Sequence, residues 1–150
     1  MGNSYVSSLF HVVFSTKGHE PWLKPPVRER LWPYLGGIAK KNGMTARGVG
    51  GYNDHIHMLL LLPPDMTISR ALQLIKGGSS RWIHETFPEL RTFAWQEGYG
   101  AFSIGVSQVA GTCEYIRKQT EHHRRISFRD EYVAFLNRNK IPYDERYVDR

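Results

Sequence analysis

Apolar residues occur in two patterns along this chain, short continuous runs and stripes with helical spacing. The run Leu9–Ser15 combines β-branched and aromatic residues without a polar face, which is typical of a strand buried on both sides. From about Val27 to Asn42 the apolar residues recur at helical spacing, and Gly43 supplies a stop. The pattern therefore predicts a central strand followed by a helix that packs on the sheet.

The next segment predicts a hairpin. Residues 44–49 are expected to form a second strand, residues 50–54 a turn, and residues 55–62 a third strand that ends at Pro63-Pro64. Thr67 is a plausible N-cap for a second helix that runs to about Glu85 and is interrupted by Gly77-Gly78. A weaker strand signal covers residues 102–106.

The last third of the chain predicts two helices. Ser107 is expected to cap a third helix that carries Tyr115, and a short helix covers residues 127–137. The resulting order, β-α-β-β-α-β-α-α, predicts the α+β class, with a ferredoxin-like (RRM-like) antiparallel sheet and helices packed on one face. The helix that carries Tyr115 follows this sheet. We expect one domain over residues 1–150, because no repeat or linker interrupts the pattern.

Composition narrows the class of protein. Hydrophobic residues make up 41% of the chain, enough for a core, and 20 Lys and Arg against 14 Asp and Glu give a net charge of +6. This excess favours a polyanionic partner such as nucleic acid. Cys113 is the single cysteine, which excludes an internal disulfide, and no apolar run resembles a membrane span or a signal peptide. We expect a cytoplasmic protein with no membrane partner.

The candidate chemistry begins with His55-Ile56-His57 at the start of the third predicted strand. Alternate residues of a strand point to the same side, so these two imidazoles can hold one metal ion. The same pair is also compatible with hydrogen-bonded histidines of the core. A metal site therefore needs a partner elsewhere in the chain.

The predicted third helix offers such a partner. Tyr115 and Gln119 are one helical turn apart, so a nucleophile and a third possible ligand would share a helix face. This suggests a nuclease that attacks DNA with tyrosine, although Tyr115 also suits the edge of a core and Gln119 a solvated surface. Arg117 and Lys118 lie nearby and would suit a phosphate backbone. We interpret His122-His123 as a polar helix end rather than as further ligands.

Residues 54–60 resemble the His-hydrophobic-His signature of the single-tyrosine HUH transposases of small bacterial insertion sequences, the IS200-like family. Residues 115–119, Tyr-Ile-Arg-Lys-Gln, with His122-His123 resemble the nucleophile helix of that family. The similarity covers nearly the whole chain and includes residues 10–17, 76–80, 95–100 and 143–148. The chain also resembles the tyrosine transposases associated with repetitive extragenic palindromes, a branch that is often encoded alone.

The resemblance implies a transposase, a metal-dependent endonuclease and strand transferase that acts on single-stranded DNA at sites marked by a hairpin. His55, His57 and Gln119 would hold Mg²⁺ or Mn²⁺, and Tyr115 would attack the DNA to give a 5′-phosphotyrosine. The two histidines and Tyr115 would thus be the catalytic residues. No nucleotide cofactor is implied, because the covalent link conserves the phosphodiester energy.

The resemblance also implies a homodimer, in which the tyrosine helix of one subunit can complete the metal site of the other. Candidate contacts to the DNA backbone lie on the second and third helices, where each residue also suits a solvated polar face. These candidates are Lys76, Ser79, Ser80, Arg81, Arg117 and Lys118.

Two other functions stay open. One is a nuclease that processes palindromic repeats for the host, and the other is a non-catalytic nucleic-acid-binding module with an exposed, RRM-like sheet face. A zinc hydrolase is disfavoured, because no third His, Cys or carboxylate has a convincing spacing from the histidine pair.

Overall fold

A computed structural model describes residues 2–148, so the predicted domain over 1–150 extends beyond the described residues at both ends. The α+β class and the ferredoxin-like sheet are confirmed. The sheet is antiparallel throughout, with the strand order β2-β3-β1-β4. Its strands are β1 (Leu9–Ser15), β2 (Thr45–Gly51), β3 (His55–Leu61) and β4 (Gly100–Ser103).

Five helices complete the described part of the chain: α1 (Pro25–Lys41), α2 (Ile68–Thr86), α3 (Val109–Arg117), α4 (Gln119–His122) and α5 (Phe128–Arg138). Short 3-10 turns cover Lys17–His19, Pro88–Leu90 and Val106–Gln108. Within residues 2–148, no helix combines the length and the apolar character that crossing a membrane requires.

The first face of the sheet carries the main hydrophobic core. Alternate residues of β1 and β3 point to this face and are fully buried under α1 and α2. They are Val12, Phe14, Ile56, Met58 and Leu60. The prediction of helices packed on one face holds for α1 and α2.

The opposite face is also covered, by α3, α4 and α5, which extends that prediction. Leu9 and Leu59 pack there against Ile116 of α3, and Val13 and Phe102 pack against α5. The residues of β1 and β3 on this side are therefore buried too, except for the partly buried Leu61. The described residues thus leave no open sheet face of the RRM type for stacking bases.

The hairpin is confirmed, but β2 extends through Gly50 and Gly51, which were predicted as turn residues. Tertiary packing explains the difference. A Cβ atom on Gly50 would lie 2.6 Å from the carbonyl oxygen of Ile116, so glycine lets the backbone of α3 rest directly on β2. This contact places Tyr115, the preceding residue, over the sheet.

The predicted break of the second helix at Gly77-Gly78 is wrong, because α2 is continuous from Ile68 to Thr86. Gly78 faces α1, where a Cβ atom would lie 3.2 Å from Ile38. Close packing of the two helices thus offsets the weak helix propensity of glycine. The predicted cap is confirmed, since the Thr67 side chain accepts a hydrogen bond from the Arg70 N–H.

After α2, the observed bounds of the strand and helix differ more from the predicted ones. The fourth strand begins at Gly100 and ends at Ser103, ahead of the predicted 102–106, because its pairing with β1 starts opposite Val13. The predicted Ser107 cap is wrong. A 3-10 turn precedes α3, and the Gln108 side chain accepts the Gly105 N–H at 2.8 Å.

The helix that carries Tyr115 also ends earlier than the sequence pattern predicts. Lys118 leaves helical geometry, so α3 stops at Arg117 and Gln119 opens the separate helix α4. The last helix is confirmed, with Ser127 accepting the Asp130 N–H at its start.

Candidate metal centre and tyrosine site

His55 and His57 lie side by side on the second face of β3, and both side chains are fully buried. Cross-strand pairing fixes them opposite Ser15 and Val13 of β1. The carboxylate of Asp54 accepts a hydrogen bond from Nδ1 of His55 at 2.8 Å. This contact fixes the ring orientation and directs Nε2 of His55 towards the helices above the sheet.

A second histidine supports His57. Nε2 of His11 lies 2.8 Å from Nδ1 of His57, and Nε2 of His57 lies 3.0 Å from Oε1 of Glu131. Burial lowers the pKa of His57 to about 4 and that of His11 to about 3, so both rings are neutral at pH 7. In this state His11 donates to His57, and His57 donates to Glu131.

Glu131 of α5 is the centre of the hydrogen-bonded cluster. Burial raises the pKa of its carboxyl, but hydrogen bonds from His123 and His57 outweigh burial and bring the pKa far below its ordinary value. Its Oε2 accepts a hydrogen bond from the Gln119 amide at 3.0 Å. The carboxylate is therefore an ionised group that polar partners hold inside the fold.

The Tyr115 hydroxyl donates a hydrogen bond to Oε2 of Glu131, and Nε2 of His122 lies 3.4 Å from the same hydroxyl. Burial, followed by the negative charge of Glu131, raises the pKa of Tyr115 well above that of a free phenol. The ring packs against His57 and Phe135. The structure thus holds a protonated tyrosine at the edge of the histidine cluster.

Gln119 is buried although α4 is short, and it bridges the cluster. Its Oε1 lies 2.8 Å from Nε2 of His55 while its amide nitrogen donates to Glu131. The structure therefore brings together the residues predicted from separate parts of the sequence: His55, His57, Tyr115 and Gln119.

The donor set fits a divalent cation. One ligand atom each from His55, His57 and Glu131 lies within 4.8 Å of the others, and the Gln119 oxygen adjoins them. Two imidazoles, a carboxylate and an amide oxygen are ligands that Mg²⁺ or a first-row transition metal accepts. These ligand atoms lie close enough together to contact one ion, as a metal site requires.

Sequence spacing missed three residues of this cluster, namely His11, His123 and Glu131. Spacing along the chain offers no third carboxylate or histidine, and the fold supplies them from β1, the end of α4 and α5. The interpretation of the His122-His123 pair as a polar helix end is wrong for His123, which is buried in the cluster. One signal existed, since Glu131 interrupts the apolar stripe formed by Phe128, Tyr132 and Phe135.

Tyr115 lies between two surface grooves. One groove, of about 530 Å³, is lined by residues 111–126 of α3, α4 and their flanking segments, which include Lys118 and Arg125. The other groove includes Gln108 and Arg138. Arg117 and Lys118 are exposed and both pair with Glu114. These predicted DNA contacts therefore lie beside the tyrosine, at the rim of the first groove or next to it.

The predicted contacts on α2 lie over the opposite face of the sheet. The Lys76 ammonium donates to the backbone carbonyls of Gln96 at 2.6 Å and Gly98 at 2.9 Å. The Ser79 hydroxyl is fully buried and donates to the carbonyl of Ile75 at 2.6 Å. A DNA contact through Ser79 conflicts with this burial, whereas the neighbouring residues 80 and 81 reach the surface.

Comparison with known proteins finds similarity to transposases. The profile of the family described as "Transposase IS200 like" matches residues 4–119, most of the chain, and the match ends at Gln119, before α5. The transposase for insertion sequence element IS200 of Salmonella typhimurium is 29% identical over 121 residues, which cover 77% of this chain and 78% of that protein. The ISDra2 transposase TnpA of Deinococcus radiodurans is 30% identical over 124 residues, 79% of this chain and 89% of that protein.

Two solved structures share the architecture. A putative transposase from Deinococcus radiodurans superposes with a TM-score of 0.65 at 26% identity and covers 79% of this chain and 96% of its own. The structure of the REP-associated tyrosine transposase bound to a REP hairpin superposes with a TM-score of 0.61 at 15% identity. That second match covers 84% of this chain and 74% of the other, and it is a likeness of fold alone.

Proposed function

Because the chain belongs to the IS200-like transposase family, we propose that it is a metal-dependent single-stranded DNA endonuclease and strand transferase that acts at hairpin-marked sites through Tyr115. Members of this family are enzymes. The observation that carries the proposal is the hydrogen bond from the Tyr115 hydroxyl to Glu131, a carboxylate that also contacts His57. A nucleophile and a set of metal ligands thus meet in one cluster.

His55, His57, Glu131 and Gln119 would hold Mg²⁺ or Mn²⁺. When bound, such an ion polarises and orients the scissile phosphate as a Lewis acid. The protein supports these ligands with Asp54 behind His55 and His11 behind His57. The side chains are therefore held in place before a substrate arrives.

The Tyr115 oxygen attacks the phosphorus of the scissile phosphodiester, the bond from phosphorus to the 3′ oxygen breaks, and a 5′-phosphotyrosine and a 3′-hydroxyl result. The hydroxyl proton has to leave as attack proceeds, and His122, whose Nε2 lies 3.4 Å from the hydroxyl, is placed to receive it. A later attack by another 3′-hydroxyl on the phosphotyrosine joins new ends without a nucleotide cofactor.

Single-stranded DNA would reach Tyr115 along the two grooves beside it. Lys118 and Arg125 on one side and Arg138 on the other place positive charge near the path of the phosphate backbone. The net charge of +6 supports an anionic partner of this kind.

The decisive experiment is incubation of a labelled, hairpin-bearing single strand with Mn²⁺ or Mg²⁺, followed by denaturing electrophoresis. We expect a covalent protein-DNA adduct from the wild type and none from Tyr115→Phe. Tyr132→Phe is the matched control, because Tyr132 is a buried tyrosine on the same side of the sheet and should keep the adduct. An adduct from Tyr115→Phe would show that another residue is the nucleophile.

The proposed homodimer needs its own test, because in this structure Tyr115 adjoins the histidines of its own chain. We would mix Tyr115→Phe with His57→Ala and measure cleavage. Recovery of activity in the mixture means that the tyrosine of one subunit acts at the metal centre of the other. No recovery, with two inactive parents, means that each chain uses its own tyrosine.

A further inference from the structure

The ligand set proposed above leaves one buried histidine of the cluster without a role. His123 lies at the C-terminal end of α4, and its side chain is 3% exposed. Its ring stacks on Tyr52 of the β2-β3 turn, with 5.6 Å between the ring centroids. This histidine is therefore fixed in the fold, and it lies outside the segment that the family profile matches.

The hydrogen bonds of His123 determine which nitrogen carries its proton. Nδ1 lies 2.7 Å from the carbonyl oxygen of Ile126, a group that only accepts, so Nδ1 donates. Nε2 is then the nitrogen that faces the cluster. It lies 2.9 Å from Oε1 of Gln119 and 3.1 Å from Oε1 of Glu131.

His55 shows the same arrangement from the other side. Its Nδ1 donates to Asp54, and its Nε2 lies 2.8 Å from the same Oε1 of Gln119. The Gln119 amide is oriented by its own donation to Glu131, so its oxygen is the atom that faces both rings. Two imidazole nitrogens and two oxygens thus face one another, and each nitrogen becomes a ligand atom when a cation displaces its proton.

The hydrogen-bond partners of the Nδ1 atoms also support a metal-binding role. Metal-binding histidines generally donate the other ring N–H to a carboxylate, a carbonyl or another acceptor. Asp54 serves His55, His11 adjoins Nδ1 of His57, and the Ile126 carbonyl serves His123. His123 therefore has the same kind of acceptor at Nδ1 as His55.

We propose that His123 is a ligand of the divalent cation, so that the centre contains three imidazoles, the Glu131 carboxylate and the Gln119 oxygen. The inference rests on the proposed function and deepens it. Imidazole nitrogen favours first-row transition metals, whereas Mg²⁺ favours oxygen ligands. The third imidazole makes this centre select Mn²⁺ or a related ion over Mg²⁺.

His122 provides the comparison. Its side chain is 33% exposed, it lines the groove beside Tyr115, and its Nε2 lies 3.3 Å from Oε2 of Glu131. It approaches the carboxylate oxygen that accepts from Tyr115, whereas His123 approaches the oxygen that faces His55 and His57. We therefore assign the ligand role to His123 and use His122 as the control.

The test is a titration of the metal-stripped protein with Mn²⁺ alone and with Mg²⁺ alone, followed by calorimetry. In His123→Asn the amide nitrogen takes the place of Nδ1 and keeps the bond to Ile126, while the Nε2 ligand atom is lost. We expect Mn²⁺ affinity to fall by about tenfold or more, Mg²⁺ affinity to change little, and His122→Asn to match the wild type. Thermal unfolding in EDTA checks that the variants are folded.

Two results would overturn the inference: unchanged Mn²⁺ affinity in His123→Asn, or an equal loss in His122→Asn. If His123→Asn does not fold, His123→Gln offers an oxygen near the position of Nε2 and should narrow the preference for Mn²⁺ over Mg²⁺; an unchanged preference would then reject it. The DNA adduct is scored separately. An adduct with no effect of His123 on metal affinity rejects this inference alone, and metal binding through His123 without an adduct rejects the proposed function alone.

Discussion

The two faces of the sheet use the same strands for opposite purposes. Under α1 and α2, the side chains of Ile56 and Met58 meet other apolar groups and need no hydrogen-bond partner. Under α3 to α5, the neighbouring residues His55 and His57 are buried as deeply but depend on hydrogen bonds from three other segments. Neighbouring residues of β3 therefore face an apolar core on one side of the sheet and a polar cluster on the other.

The difference shows what each face requires of the sequence. An apolar face is tolerant, since many residues of suitable volume fill it. A buried polar face is exacting, because each donor and acceptor left without a partner costs about 1–3 kcal/mol. Substitutions on the first face should therefore affect stability, and substitutions on the second should affect chemistry.

The largest effect is expected on the polar face. His57→Ala should lower the rate of DNA cleavage by on the order of a thousandfold, because it removes a proposed ligand of the metal ion, which supplies several kcal/mol of charge stabilisation. Binding of the hairpin substrate, measured by gel shift in EDTA, should be largely preserved. Equal loss of binding and cleavage would mean that His57 has only a structural role.

Met58, the next residue along β3, lies on the apolar face, and its substitution should affect stability rather than cleavage. Met58→Ala should lower the free energy of unfolding by roughly 2–5 kcal/mol, because it opens a cavity beneath α1 and α2. Cleavage per folded molecule should stay near the wild-type rate. Urea unfolding monitored by circular dichroism gives the first quantity, and a cleavage defect larger than the unfolded fraction would contradict the separation of the faces.

Gly50→Ala tests how the polar face is assembled. The new Cβ would lie 2.6 Å from the carbonyl oxygen of Ile116, so α3 has to move away from β2 and carry Tyr115 with it. We expect a loss of roughly 1–3 kcal/mol in stability together with slower adduct formation. Normal adduct kinetics at unchanged stability would mean that this contact does not position the tyrosine.

The smallest effect is expected from Gly77→Ala in α2. A Cβ atom there meets nothing within 4 Å, and the residue lies inside a helix. Alanine should therefore raise the free energy of unfolding by roughly 0.5–1 kcal/mol and leave cleavage unchanged. A shift of the urea midpoint to lower concentration would indicate that the glycine serves a contact that this chain alone does not show.

Local patterns predicted most of the architecture. The bounds of β1, the hairpin, the caps at Thr67 and Ser127 and the common side of His55 and His57 all depend on neighbouring residues. The errors fell where packing overrides propensity. Gly50 and Gly78 disfavour strand and helix by themselves, and each is tolerated because another backbone or side chain packs closely against it.

In the candidate site, too, some residues were predictable from local sequence and others were not. The sequence by itself determined the pair His55 and His57, because strand periodicity acts over a few residues. It also predicted that Tyr115 and Gln119 lie close together on one helix, whereas the structure ends that helix at Arg117 and begins another at Gln119. Only the tertiary structure decided that His11, His123 and Glu131 join them, with Glu131 lying 74 residues from the His57 that it contacts. A strand or helix period cannot encode that distance, which is bridged by the packing of the C-terminal helices on the second face of the sheet.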